Sequence, residues 1–470
     1  MDPIIDFLNT IFWGYVLIYG LLAVGLYFTI RLGFLQFRHF PEMFCCVMGS
    51  GESDKNGISP LQALTVSLAS RVGTGNIAGV AVAIYLGGPG AVFWMWMVAL
   101  VGMATAYAES TLAQLYKTHG AGGMYRGGPA FYIARGLGMP WLGAVFSVCL
   151  IIAFGLVFNA VQANSIAEAF EGAFGVPKLA VGLGLAVLTA IIIFGGIPQI
   201  ARVAEIVVPF MAGIYLLLAI VVLALNITEV PAVLGQIVGG AFGLGQAAGG
   251  IAGGIAAAAM NGIKRGLFSN EAGMGSAPNI AAVATPDPHH PSSQGFVQAL
   301  GVFIDTLLVC TATAIMILLS GVVEPGSGIT GTALTQSALE HHFGSFGDIF
   351  IAVAIFFFAF TSIIGNYAYA ENAMDFLGLG NKAGLSVLRA VALLMVVWGA
   401  MQAVATVFNF ADAAMGLMAT INLIAIVALS GTVAAVTRSY LNQRLIGKQP
   451  RFHLSDHPGL AKGVDPTIWK

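Results

Sequence analysis

The sequence predicts an all-α polytopic membrane protein of about eleven transmembrane helices, and three observations carry that reading. Hydrophobic residues make up 58% of the 470 residues and charged residues only 9%, where soluble domains average roughly 25% charged. Apolar runs near the roughly 20 residues needed to cross a bilayer recur from Ile11 to about Thr437, separated by short loops rich in Gly, Pro and charge. These runs are continuously apolar, unlike barrel strands, which alternate over about ten residues; helices are then the way to satisfy the backbone in lipid. The formal charge of -2 points to neither a nucleic-acid nor an acidic partner.

The first span, 11–31, follows Asp2 and Asp6 with no Lys or Arg before Arg31. It lacks the basic region of a cleaved signal peptide and is expected to stay. Spans at 60–86 and 90–117 come next, the latter with Trp94 and Trp96 near its outer end, read either as interfacial anchors or as packing. Span 141–171 carries Phe158, Asn159, Gln162 and Asn164 in an otherwise apolar run, with Gln162 one turn from Phe158 on the same face. The remaining spans are 177–195, 199–226, 246–284, 294–322, 347–375, 383–402 and 405–437. Cys45, Cys46, Cys149 and Cys310 have no metal-binding spacing and read as packing residues.

Orientation follows from the basic residues. With the N-terminus outside, the inner ends hold Arg31, Arg38, Lys55, Lys117, Arg126, Arg135, Arg202 and Lys382, and a cytoplasmic tail over 438–470 holds six more. Lys178 alone lies outside.

Two spans are poor helices. Ser67 to Ala83 (SLASRVGTGNIAGVAVA) and Gly249 to Ala282 (GGIAGGIAAAAMNGIKRGLFSNEAGMGSAPNIAA) cluster Gly, small polar residues and charge inside apolar runs. Each Gly costs a helix roughly 1 kcal/mol, and polar groups at membrane depth are functional candidates. For 249–259, with only Gly, Ala and Ile, close helix packing explains the composition equally well. Asn and Glu in GTGN and LFSNEAGMGS point instead to broken helices. These are the second and seventh spans, five apart and so opposed in direction. The chain is then one leading helix plus two inverted repeats, 59–227 and 246–437, the pattern of secondary transporters with a site at the midplane.

At GTGNIAG (73–79), GGPGAVFWMWMVALVG (87–102), KRGLFSNEAGMGSAP (264–278) and FAFTSIIGNYAYAEN (358–372) the sequence resembles the alanine or glycine:cation symporter family of the amino acid, polyamine and organocation superfamily. The resemblance covers nearly the whole chain up to about residue 445. It implies a sodium-coupled symporter of small neutral amino acids, alanine or glycine foremost, with the inverted-repeat fold of the bacterial leucine transporter. It also implies a multi-pass protein of a prokaryotic plasma membrane with no organic cofactor.

A zwitterion held away from water needs donors for its carboxylate and acceptors for its ammonium. Half-helix N-termini offer the first and unwound backbone carbonyls the second. The carboxylate is therefore assigned to the backbone around Thr74, Gly75 and Asn76, and the ammonium to the break near Phe268, Ser269 and Asn270. Gly273 and Gly275 are expected to let backbone approach closely, and Gln162 is the leading side-chain contact, its alternative being an interhelical hydrogen bond. Asn366 stands where, by the family resemblance, some relatives have a larger aromatic, so it bears on pocket size. Thr361 and Ser362 are adjacent hydroxyls beside FFFAF; alone, they read as bonds to the preceding turn. The resemblance implies instead a sodium site completed by the carbonyls of Ala69, Val72 and Phe358.

Arg71, always charged, needs an anion: Glu271, Glu109 or Asp305. It reads as a structural ion pair with Glu271, or as part of a gate, a role open also to Lys264 and Arg265. Glu205, Glu371 and Asp412 share that ambiguity. The rivals are proton coupling through Glu271 or Asp305, a channel or sensor, and a membrane enzyme, for which no nucleophile and base are recognisable. Serine, threonine, glutamine and D-alanine remain alternative substrates. GAGGMYRGG (120–128) follows no strand and does not read as a phosphate loop, and the pairs His289–His290 and His341–His342 lack metal-ligand partners.

Overall fold

The structure is a computed structural model describing residues 3–48, 54, 56–120, 123–244, 251–324 and 326–469. Lys55, Ala121, Gly122, Lys470 and the start of the seventh span, 246–250, fall outside the described residues. The chain is an all-α polytopic membrane protein: among the described residues eight helices are long and apolar enough to cross a bilayer, and three shorter apolar helices accompany them.

In chain order, α1 runs Pro3–Arg31 and α2 Phe40–Met48. The second span is broken as expected, into α3 (Pro60–Arg71) and α4 (Gly75–Gly87). Next come α5 (Gly90–Leu115), a two-stranded ribbon of β1 (Thr118–His119) and β2 (Tyr125–Arg126), and the short α6 (Pro129–Gly136). Helices α7 (Pro140–Phe174), α8 (Lys178–Ile193), α9 (Gly196–Leu225) and α10 (Val230–Ala241) follow. The seventh span is broken too, into α11 (Ile251–Asn270) and the single turn α12 (Pro278–Ala281). The rest are α13 (Pro291–Ser320), α14 (Gly331–Phe343), α15 (Ser345–Phe376), α16 (Lys382–Ala400), α17 (Val404–Ala428) and α18 (Ser430–Leu445).

Four of the helices named lie in segments read as loops: α2, α6, α10 and α14 are too short to register as spans. The last predicted span, 405–437, is in fact two helices, α17 ending at Ala428 and α18 resuming at Ser430. Composition alone does not mark this joint, because the apolar run continues across it.

Each break has a local cause. Ser59 caps α3 with a full capping box, its hydroxyl accepting from the Gln62 amide at 3.1 Å while Gln62 Oε1 accepts from the Ser59 amide at 3.1 Å. Twelve residues on, the ladder stops at Val72, and Asn76 Oδ1 accepts the Gly73 amide at 2.9 Å, a side chain competing with the helix. At the second break Asn270 Oδ1 accepts from the Ala272 amide at 3.0 Å, and Glu271 sits at φ 58°, rare for a non-glycine residue. Gly273 and Gly275 are left-handed at φ 90° and 83°, where only glycine is unstrained.

The start of the first broken helix and the end of the second are joined. Ile58, ahead of α3, bridges in parallel with Ala284, after α12; Thr285 donates to the Ile58 carbonyl at 2.9 Å. From α5, Gln114 Nε2 donates to the Ala284 carbonyl at 2.9 Å. Trp94 and Trp96 both turn inward, to the Ala241 carbonyl and the Thr311 hydroxyl, which favours packing over interfacial anchoring.

Candidate functional site

The two breaks face each other across one buried polar cluster. Asn76, in a π-helical turn opening α4, donates from Nδ2 to Asp305 Oδ1 at 2.7 Å. Ser269, near the end of α11, donates to Asp305 Oδ2 at 2.7 Å, and so does Thr306. All four side chains are fully buried. Asp305 lies in a π-helical stretch of α13, Phe303–Cys310, and such widened turns recur at functional sites. A carboxylate surrounded by neutral donors thus ties both broken helices to α13.

At the first break the Thr74 amide donates to Gln162 Oε1 at 2.9 Å. Space is tight: an added Cβ at Gly73 would lie 2.2 Å from Ser362 Oγ and 2.8 Å from Gln162 Oε1, and one at Gly75 would lie 3.0 Å from Ser269 Cα. Gln162, Ser362 and Ser269 therefore converge on residues 73–75. Phe268 forms one wall, its ring 3.1 Å from that Gly75 Cβ and stacked on Phe158 at 4.8 Å between centroids.

Next to this, Ser362 Oγ is 2.8 Å from the Ala69 carbonyl and 3.0 Å from the Phe358 carbonyl, and Thr361 donates to Phe358 O at 2.9 Å. Four of the five residues assigned to an ion are thus linked; Val72, where α3 ends, completes the segment. The Thr361 hydroxyl also reaches Met211 Sδ at 3.9 Å, toward α9. Asn366 bonds α3 and α7. Its Oδ1 is 2.5 Å from Ser70 Oγ and its Nδ2 donates to Asn159 at 3.1 Å, one turn further into α15.

Gly273 and Gly275 let neighbouring side chains approach the backbone of the second break closely. Cβ atoms there would meet Leu423 at 3.0 Å and Asn422, Phe146 and Pro129 at 2.8 to 2.9 Å, so these glycines admit neighbouring helices. Asn270 caps its own turn through Oδ1, while its buried Nδ2 has no partner among the described residues. Arg71 and Glu271 make no direct ion pair among the described residues: Glu271 is held by the hydroxyls of Ser70 and Ser276, while Arg71 Nη1 donates to the Gln298 carbonyl at 3.3 Å. The guanidinium packs on α13, whose Gly301 leaves it room.

Asn422 escaped the sequence reading, although a lone Asn in an apolar run is the signal that singled out Asn159. It donates to Glu109 Oε2 at 2.7 Å and to the Gly273 carbonyl at 2.9 Å, and accepts from Tyr132, fixing the second break to α5, α6 and α17.

Above the aromatic pair lies a cavity of about 570 Å³ lined by Lys264, Arg265, Phe408, Asp412 and Glu168. Lys264 and Arg265 share Asp412 Oδ2 at 2.7 and 2.6 Å, and the Arg265 guanidinium stands 5.7 Å from the Phe268 ring. On the opposite side Arg126 is paired with Asp375 and, at 3.6 Å, with Glu371. The Thr74 break thus lies between two sets of ion pairs.

A family profile described as the sodium:alanine symporter family matches residues 1–454. The chain is 51% identical to the amino-acid carrier protein AlsT of Bacillus subtilis, covering 98% of this chain and 96% of that one. It is 47% identical to the probable sodium/glutamine symporter GlnT of the same organism, over 98% and 95% of the two chains. Identity to the sodium/alanine symporter AgcS of Methanococcus maripaludis is 39%, over 93% and 96%.

Proposed function

The chain belongs to the sodium:alanine symporter family, and from that premise we propose that it carries alanine or glycine inward together with sodium by alternating access. Its family makes it an amino-acid transporter and not an enzyme. The observation that carries the finer reading is the convergence of Gln162, Ser269 and Ser362 on the backbone of residues 73–75.

In this reading the amino acid's carboxylate takes the N-terminus of α4, replacing Gln162 Oε1 at the Thr74 amide and freeing Gln162 to turn to the ligand. The ammonium meets carbonyls at the end of α11 around Phe268 and Ser269. Phe158 and Phe268 limit the side chain, which favours alanine and glycine. GlnT, named for glutamine, makes a larger substrate the competing expectation. Sodium takes the carbonyls of Ala69, Val72 and Phe358 with the hydroxyls of Thr361 and Ser362. Because the α3–α4 break serves both ligands, each favours the same state of the carrier, which is what coupling requires. The repeats 59–227 and 246–437 rock against each other, with the N-terminus outside and the C-terminus in the cytoplasm.

A second reading has its own observation: Asp305, fully buried among neutral donors, suits a proton as the coupling ion. Uptake of labelled alanine into proteoliposomes, with sodium and proton gradients imposed separately, distinguishes the two. Accumulation driven by sodium at equal pH supports the proposal; accumulation only under a proton gradient without sodium overturns it. Competition by unlabelled glycine, serine, threonine, glutamine and D-alanine ranks the substrates. One charge moved through 100 mV contributes about 2.3 kcal/mol, roughly fiftyfold accumulation before any sodium gradient is counted.

A further inference from the structure

The stretch after α18 folds back beneath the membrane core. Trp469, 1% exposed, donates from Nε1 to the Leu115 carbonyl at the end of α5, at 3.2 Å. Its ring packs on His289 at 5.0 Å and on Phe452 at 5.6 Å. Two backbone bonds close the arrangement: Phe452 N to the His289 carbonyl and Leu454 N to the Trp469 carbonyl, each 3.0 Å. Lys117 stands with its ammonium 3.9 Å from the Tyr125 ring centre and 5.4 Å from that of Trp469, donating to the Ala284 carbonyl at 2.9 Å. Gly463 lies against α6, where an added Cβ would come within 2.4 Å of the Arg135 carbonyl. The matched family stretch ends at residue 454, so the part bearing Gly463 and Trp469 lies beyond it.

We propose that residues 451–469 form a strap that holds the inner side closed and sets the rate of inward opening. The strap touches three parts at once: α5 through Leu115, α6 through Arg135, and the segment after α12 through His289. That last segment carries Ala284, which bridges Ile58 ahead of α3, so it is joined to the inner ends of both broken helices. An inner path to the Thr74 break opens only if these ends part from α5 and α6. The strap bridges the parting surfaces and must first let go. A short segment held by the Trp469 and Phe452 rings, a few backbone bonds, the Gln443 and Ser439 side chains of α18 and a tight glycine contact can release locally without unfolding the bundle, and such gating steps often limit turnover.

The proposal rests on the transport reading and is tested in the full-length chain with two separate variants, Trp469→Ala and Gly463→Leu. The first removes the plug and the second drives Gly463 off α6; neither side chain lies at the proposed binding site. Trypsin cleavage at Arg451 and Lys462 in detergent reports release, and initial alanine uptake in proteoliposomes reports rate. The strap predicts faster cleavage in both variants and uptake raised about twofold or more, with Trp469→Phe close to the unaltered chain. Faster cleavage with unchanged or slower uptake overturns it, as does unchanged cleavage in both variants. No uptake by the unaltered chain contradicts the transport reading instead, and the strap falls with it.

Discussion

Gly75 shows how little slack the site has, its would-be Cβ 3.0 Å from Ser269 Cα and 3.1 Å from the Phe268 ring. Gly75→Leu is expected to abolish alanine uptake while the protein still reaches the membrane in normal amount, checked by uptake against membrane-fraction immunoblotting. Normal uptake would remove the substrate assignment at this break. Replacing Thr361 and Ser362 with Val and Ala takes away the two hydroxyls proposed to hold sodium; the sodium concentration for half-maximal uptake should rise about tenfold or more, since a lost ligand worth about 1.4 kcal/mol is a factor of ten. An unchanged sodium dependence would rule that site out. Gln162 stood out in the sequence because polar side chains in apolar runs are rare, whereas Ser362 was singled out for an ion only through the family resemblance, its hydroxyl alone reading as the bond to Phe358 O that it makes. For Gly273 and Gly275 the sequence told of close approach but not of what approaches, because a glycine that admits a ligand and one that admits a neighbouring helix look alike in sequence; here Leu423 lies against the first and Asn422 and Phe146 against the second.

Between elements, the second break is held by a tie the sequence does not announce. Asn422 on α17 bonds Glu109 on α5 and the Gly273 carbonyl, and Tyr132 on α6 bonds Asn422 in turn. Asn422→Leu keeps the branched shape and takes a hydrogen-bond partner from each of those buried groups, at roughly 1–3 kcal/mol for each. Its apparent melting temperature in detergent should fall by several degrees, read by a thiol-reactive dye at the free cysteines; an unshifted transition would show that the tie carries no stability. Both breaks were legible as elements because Gly, Asn and Glu interrupt apolar runs there. Their partners were not, since nothing in a linear pattern says that Arg71 turns to Gln298 while Glu271 turns to Ser70 and Ser276.

On the scale of the whole molecule, composition and the recurring apolar runs made the class legible, but the folded-back tail lay beyond reach: residues 451–469 have no long apolar run, and their burial depends on a surface assembled from α5, α6 and the 283–290 segment. That surface predicts a pH effect. Burial pushes the Lys117 ammonium down to about 7, against a smaller opposing pull from Asp54. Between that value and its ordinary range near 10.4 the unfolded chain binds more protons than the folded one, so stability rises with pH across this window. Lys117→Met should flatten the rise in apparent melting temperature between pH 7 and about 10; an unchanged slope would place its cause elsewhere.

The central claim, that one break binds amino acid and cation together, is tested most directly by measuring alanine binding to purified protein by calorimetry with and without sodium, in the unaltered chain and in the Thr361→Val, Ser362→Ala double variant. The account predicts that sodium tightens alanine binding about tenfold or more in the unaltered chain and that the double variant loses this enhancement while keeping its sodium-free affinity. Equal alanine affinity with and without sodium in the unaltered chain would contradict it.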